Sequence, residues 1–211
     1  MDKNFKDKKA IAGHGIEGAK FALRGASPKV LKPVLYSKAI GLNSLLQKQD
    51  LYADNRNIGS VPSDMGYDGT YTTTAQDRAF ETALGFLLET EKGLVTPDLT
   101  VYKKIDLYYE YKELLEEGDD YTVKVWLLNV EVGKPSVQQS TDANNITTGD
   151  YVYPIKIMGD YIMSEENEPE AFYRDDNGNK KKALFIRSLP GVEGYKDFEK
   201  SVPVPVIPDE E

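Results

Sequence analysis

The sequence predicts a mainly β protein built on long hairpins with one short helix. Three observations carry that prediction. Tyrosine is abundant, with 14 Tyr against 7 Phe and one Trp, and it suits half-wet strand surfaces because its ring is apolar while its hydroxyl bonds to water. Residues 105–130 alternate with period two. Turn-forming sequences such as EEGDD and Asn177-Gly178 separate the alternating runs.

The alternation is clearest in IDLYYEYK and YTVKVWLLNVEV. Ile105, Leu107, Tyr109 and Tyr111 share one face, and Asp106, Tyr108, Glu110 and Lys112 share the other. Val123, Val125 and Leu127 alternate with Thr122, Lys124, Trp126 and Leu128. Both faces carry apolar residues, so both need cover. Leu107, Tyr111, Leu114 and Leu115 also fit helical spacing, which leaves KELLEEG open to a helical turn.

The remaining elements follow in chain order. Residues 1–12 are charged and aperiodic and read as a mobile arm. IEGAKFALR (16–24) reads as a strand or a helix start, and SPK (27–29) breaks the chain. PVLYSKAIGLNSLL (33–46) reads as two strand pieces or a bent strand split by Gly41. QKQDLYADNR (47–56) reads as a strand running into a loop over 56–68, which holds Gly59, Pro62 and Gly66. GTYTTTAQ (69–76) is rich in β-branched residues and reads as a strand.

DRAFETALGF then turns helical. Ala79, Phe80, Ala83 and Leu84 lie on one helical face, Thr74 or Asp77 can cap the start, and Gly85 sits where a C′ glycine belongs. The helix can run on towards Glu89. Residues 133–150 are polar and read as a long loop or weak strand. YVYPIKIMGDYI (151–162) alternates, and Pro154 puts it at a sheet edge or a bulge. Residues 170–187 read as a second hairpin with a type I′ turn at Asn177-Gly178. SVPVPVIPDEE (201–211) is Pro-spaced and extended. No internal repeat is present. A single domain over 13–199 between arms at 1–12 and 200–211 follows.

Composition narrows the function. With 40% apolar and 29% charged residues, the chain reads as soluble and globular, and no apolar run is long enough to span a membrane. The charged N-terminus lacks the apolar segment of a signal peptide. Absence of cysteine removes disulfides and thiolate chemistry. A net charge of -9 offers no basic face for holding phosphates.

The motifs point away from catalysis. His14 is the single histidine, so a histidine triad or multi-histidine metal site has little to stand on. GHGIEG (13–18) matches G-x-G-x-x-G, with Gly13, Gly15 and Gly18. An NADP-type dinucleotide site there needs a strand before it and a helix after it, and the hairpins that follow are not βα units. DDNGN (175–179) resembles a calcium loop, yet centring it on Gly178 puts Tyr173 and Leu184 at ligand positions. Asp106 and Glu110 can be read as a hydrolase-like pair, although nothing singles them out among 35 acids. No cofactor, metal or enzymatic role is expected. A monomeric β-sandwich binding module with a tyrosine face is a further alternative.

One stretch carries a family resemblance. Tyr52-Ala53-Asp54-Asn55 leads to a Gly-rich segment, then Gly69 opens a strand, and a helix runs from Asp77 to Leu84-Gly85. After it come the Tyr-rich hairpin, a Lys-Pro-Ser-Val-Gln-Gln stretch and a Thr/Asn-rich segment. Over roughly residues 40–165 this order resembles the major tail tube proteins of long-tailed siphophages from Gram-positive hosts. Asn55 stands where that family more often has a second acid.

The resemblance implies a β-sandwich with a flanking helix and six-fold rings stacked into a tube. It implies a virion location after synthesis in the host cytoplasm, and partners in the tape measure, tail-tip or baseplate and terminator proteins. Double-stranded DNA would pass through without lasting contact, which an acidic chain favours. Asp54, Asn55, Arg56, Asp64, Tyr108, Glu110, Trp126 and Leu128 are the expected subunit-interface residues. On that reading Trp126→Asp weakens assembly and leaves folding largely intact.

Overall fold

The computed structural model describes residues 10–53, 56–99, 101–116, 118–137, 149–164, 171–176 and 178–207, with the side chains of 10–11 and 46–65 left out. In chain order the elements are β1 (Ala10–Leu23), β2 (Lys32–Pro33), β3 (Ser37–Ala53), β4 (Arg56–Thr73), α1 (Arg78–Leu84), β5 (Leu88–Thr90), β6 (Gly93–Val95), β7 (Lys104–Leu115), β8 (Asp120–Val132), β9 (Ser136–Val137), β10 (Tyr151–Ile157), β11 (Asp160–Tyr161), β12 (Lys182–Ala183) and β13 (Phe185–Ser188). The mainly β expectation holds.

One antiparallel sheet dominates, in the order β2-β1-β7-β8-β10-β4-β3. β13 joins it along β8, and β9 along β10. β1 and β3 are far apart in that order but approach each other in space. A single folded sheet therefore wraps the core.

The period-two pattern is realised. Ile105, Leu107, Val123, Val125 and Leu127 lie buried in the main core with Phe21, Tyr71, Phe80 and Tyr153. Tyr108, Trp126 and Leu128 point the other way and form a second cluster with Phe198 and Val202. β7 is a strand to Leu115, so KELLEEG is not a helical turn.

The short helix plugs the core. Asp77 caps it through a bond from the Phe80 N–H (3.0 Å), and Gly85 closes it in the left-handed region at φ 83. It stops at Leu84 and does not reach Glu89, because β5 begins at Leu88. Phe80 sits at the centre, with ring centroids 4.9 Å from Phe21, 5.5 Å from Tyr153 and 6.3 Å from Tyr71. Such edge-on aromatic pairs add to the burial term.

Several expectations are corrected. Residues 56–68 are not a loop but the outer part of the 18-residue strand β4, paired to β3 as far as Ala53 and Arg56. Backbone pairing there outweighs the turn propensity of Gly59 and Pro62. Residues 13–18 lie inside the 14-residue strand β1, and no helix follows them, so the dinucleotide reading loses its required geometry.

Pro154 is not at an edge, since β10 has β4 on one side and β8 and β9 on the other. The bulge alternative is nearer the mark. β8 ends opposite Ile155 and β9 starts opposite Val152, so the neighbouring strand is interrupted beside Pro154. There the Gly133 N–H donates to the Pro154 carbonyl at 2.8 Å. A Cβ on Gly133 would lie 2.7 Å from the proline ring.

Asn177 lies outside the described residues, and the hydrogen bonds on either side of it close one residue earlier than a type I′ turn at Asn177-Gly178 would. The Gly178 N–H donates to Asp175, and the Asp175 N–H to Asn179. The extended tail is docked in part: the Met163 N–H donates to the Pro205 carbonyl at 2.8 Å, and the Ile207 N–H to that of Met163 at 2.9 Å.

Candidate functional site: a projecting ribbon

β3 and β4 pair along their whole length. β10 covers the second edge of β4 only from Tyr67 to Thr73. Among the described residues, no strand pairs with the outer edge of β3 or with β4 over 56–65. The outer part of this hairpin is therefore a two-stranded ribbon. At about 3.3 Å per residue, the run from Ser44 to Ala53 projects about 30 Å.

The root of the ribbon is built by glycines. Between the pairs Ser44↔Tyr67 and Leu46↔Asp64, Met65 and Gly66 oppose Leu45 alone, which is a bulge. Gly66 has φ +90, and a Cβ there would lie 2.6 Å from the Ile157 carbonyl oxygen. The ribbon thus leaves the sheet where β10 ends. One step inward, a Cβ on Gly69 would lie 1.9 Å from the Gly41 carbonyl oxygen.

A two-stranded ribbon alone in water is marginal. Its unpaired N–H and C=O groups are a template for another strand. Its sequence is mixed, with Gln47, Lys48, Gln49, Asp50, Asn57, Ser60 and Ser63 beside Leu45, Leu46, Leu51, Tyr52, Ile58, Val61 and Met65.

Of the expected interface residues, Asp54 and Asn55 lie outside the described residues, as do the side chains of Arg56 and Asp64. The backbones of Arg56 and Asp64 are in the ribbon. Tyr108, Trp126 and Leu128 are elsewhere and are fully buried, each at 0% exposure. The Trp126 indole N–H donates to the Phe198 carbonyl at 2.8 Å, and the Tyr195 hydroxyl to that of Thr122 at 2.9 Å. The segment after β13 thus covers the outer face of the β7–β8 hairpin. The Tyr108, Trp126 and Leu128 side chains have no surface left for a neighbour, and the expectation for Trp126→Asp changes from lost assembly to lost folding.

Glu110 is half-buried on β7 and accepts a hydrogen bond from the Tyr108 hydroxyl at 2.5 Å. Burial, reinforced by Glu110, pushes the Tyr108 hydroxyl well above its ordinary pKa.

Asp106 and Glu110 do not act as a pair. Asp106 is fully buried, accepting from Arg24 at 2.7 Å, Lys29 at 3.2 Å and the Asn129 N–H at 3.0 Å. Arg24 also grips Asp160 in β11 through two bonds of 2.6 and 2.8 Å. This network pins the β1–β2 connection and β11 to the sheet. Its signal in the sequence is a lone acid inside the apolar run IDLYY. Among the described residues, no cluster of three or more His, Cys, Asp or Glu could hold a metal ion, and no helix is long and apolar enough to cross a membrane.

No family model matches the sequence, and no curated protein matches it. Among solved structures, a chain of the anti-feeding prophage (AFP) baseplate, determined by cryo-EM with six-fold symmetry, is similar at TM-score 0.40 and 9% identity, over 71% of this chain and 92% of that one. A likeness of that size bears on neither family nor function.

Proposed function

We propose that the chain is a structural subunit that assembles with copies of itself, the tube protein of a long-tailed phage. The observation that carries this reading is the ribbon, about 30 Å of two-stranded sheet whose outer edges pair with no strand among the described residues. Neighbouring copies can supply the missing strands, and closing the circle removes every edge. The net charge of -9 suits a conduit that must not hold DNA phosphates. Six-fold rings, stacking, and contacts with tape measure, tail-tip and terminator proteins belong to the same reading, as does the absence of catalysis.

Negative-stain electron microscopy across a concentration series tests it, alongside a variant in which residues 47–63 are replaced by a two-residue turn. Rings or hollow tubes from the full chain, and a folded monomer from the variant, are expected. Assembly by the variant equal to that of the full chain would remove the ribbon from the interface. A concentration-independent monomer, even with purified tail-tip complex added, would overturn self-assembly and favour a monomeric binding module.

A further inference from the structure

Where β1 and β3 approach each other an open groove lies on the surface, lined by exposed and half-buried residues. A mouth of about 400 Å³ opens there, between Gly13–Ile16 of β1 and Lys38–Ile40 of β3. Tyr109, Tyr111 and Arg187 also line it, and no carboxylate does. That is unusual in a chain with 35 acids and 26 bases.

Arg187 is the informative residue. On β8, Val125 pairs with Tyr109 on one side and with Arg187 on the other. Cross-strand partners share a face, so Arg187 stands on the same side of the sheet as Tyr109, at its rim, where it is exposed. Among the described residues its guanidinium makes no hydrogen bond or ion pair, and its contact is the Phe185 ring at 4.7 Å. The Tyr109 hydroxyl likewise has no hydrogen-bond partner among the described residues.

Neighbouring groups are matched: His14 lies 3.7 Å from Asp120, Lys38 lies 2.6 Å from Asp150, and the Tyr111 hydroxyl donates to Glu113 at 2.7 Å. Arg187 and Tyr109 thus both line the groove without a protein hydrogen-bond partner among the described residues.

The shape fits a flat body. The Tyr109 and Tyr111 rings lie 6.2 Å apart with their planes 31° from parallel. Gly15, at φ +73, has open space where a side chain would stand, and a Cβ on Gly13 would sit 3.5 Å from the Tyr111 ring. The glycines that fail as a dinucleotide loop leave the tyrosine rings accessible.

We propose that this mouth binds a small organic anion with a flat ring, of the size and charge of a nucleoside monophosphate. The Arg187 guanidinium takes the anionic group as a fork, with the Tyr109 hydroxyl as a second donor. The ring of the ligand lies against the two tyrosines, and the volume is in the range of small-molecule sites. The inference is independent of the assembly reading.

Isothermal titration calorimetry on the full chain with adenosine 5′-monophosphate, adenosine and inorganic phosphate tests it. Saturable one-to-one binding of the monophosphate is expected, with adenosine and phosphate each at least about tenfold weaker. Arg187→Gln should weaken the monophosphate about ten- to hundredfold, as expected for a charge-assisted bond, at unchanged circular dichroism. Arg187→Lys, which keeps the charge without the fork, should fall between. No saturable heat up to about 5 mM, or equal affinity in Arg187→Gln, overturns the site. Adenosine binding as tightly as the monophosphate overturns the anion contact, and phosphate doing so overturns the ring contact.

Discussion

Two adjacent glycines at the root of the ribbon should respond oppositely to one methyl group. Gly69→Ala places a Cβ 1.9 Å from the Gly41 carbonyl oxygen, 2.9 Å from its carbon and 3.1 Å from the Leu42 Cα. All three atoms are backbone, so β3 itself must retreat by more than an ångström. Overpacking costs about 1–3 kcal/mol when side chains can adjust, and here they cannot, so about 3 kcal/mol or more is expected. Gly41→Ala places its Cβ 3.5 Å from the Thr70 hydroxyl oxygen, an ordinary contact, with no positive φ to forbid it. By narrowing the unfolded ensemble it should stabilise by about 0.4–1 kcal/mol. Urea unfolding followed by the single tryptophan, Trp126, reads both variants. The expected gap between them is about 3–4 kcal/mol. A Gly69→Ala protein within about 0.5 kcal/mol of Gly41→Ala would show that the two strands do not approach this closely, and the ribbon root would have to be redrawn.

Trp126→Phe should lose the bond to the Phe198 carbonyl and about 1 kcal/mol, whereas Trp126→Ala should lose about 3–5 kcal/mol. Limited proteolysis should then cut within 189–207, and a protease-resistant tail in Trp126→Ala would refute the covering role. Asp106→Asn leaves Arg24 held by Asp160 but removes the charge from its bonds to Arg24 and Lys29, and a loss of about 1.5–3 kcal/mol by urea unfolding is expected; a loss below about 0.5 kcal/mol would show the network to be dispensable. Burial pushes the Tyr71 hydroxyl up to about 12, and those of Tyr153 and Tyr108 upward too. A raised folded value means that the stabilisation is complete below the ordinary value near 10 and is lost as pH rises from there towards about 12. Urea midpoints should therefore fall in that window and fall less in Tyr71→Phe; midpoints that stay flat there would contradict the burial.

The parts legible in the sequence are those whose signal is local. Asp77 and Gly85 bracket the helix within one short segment, and their chemistry is the cap itself. The β7–β8 hairpin is legible because each strand must bury one face, and burial writes period two into the residues. The β3–β4 ribbon shows no clean alternation of apolar and polar residues, and Gly59, Pro62 and Gly66 read as a loop. Its pairing is set by the backbone of β3, which composition does not report. Partners distant in the chain are hidden for a different reason. Arg24 meets Asp106 across 82 residues and Asp160 across 136, and no spacing rule reaches that far. The cover over Trp126 comes from a turn-rich stretch and a Pro-spaced tail, neither of which has a period to read.

The exchange of roles between the two hairpins changes what assembly would depend on. An interface through Tyr108, Trp126 and Leu128 would be an apolar contact, specified by side-chain shape and sensitive to each substitution. A ribbon edge pairs through backbone groups, which every residue except proline supplies in full. Such pairing tolerates sequence change, but a two-stranded ribbon without a regular alternating pattern also specifies its register weakly. On the assembly reading the register must therefore be fixed elsewhere, and the bulge at Met65-Gly66 and the close approach at Gly41 and Gly69 are the features that fix the direction in which the ribbon leaves the sheet. Substitutions at the root should then disturb assembly more than substitutions along 47–53 and 56–63. That is the reverse of what an interface built on side-chain contacts would give.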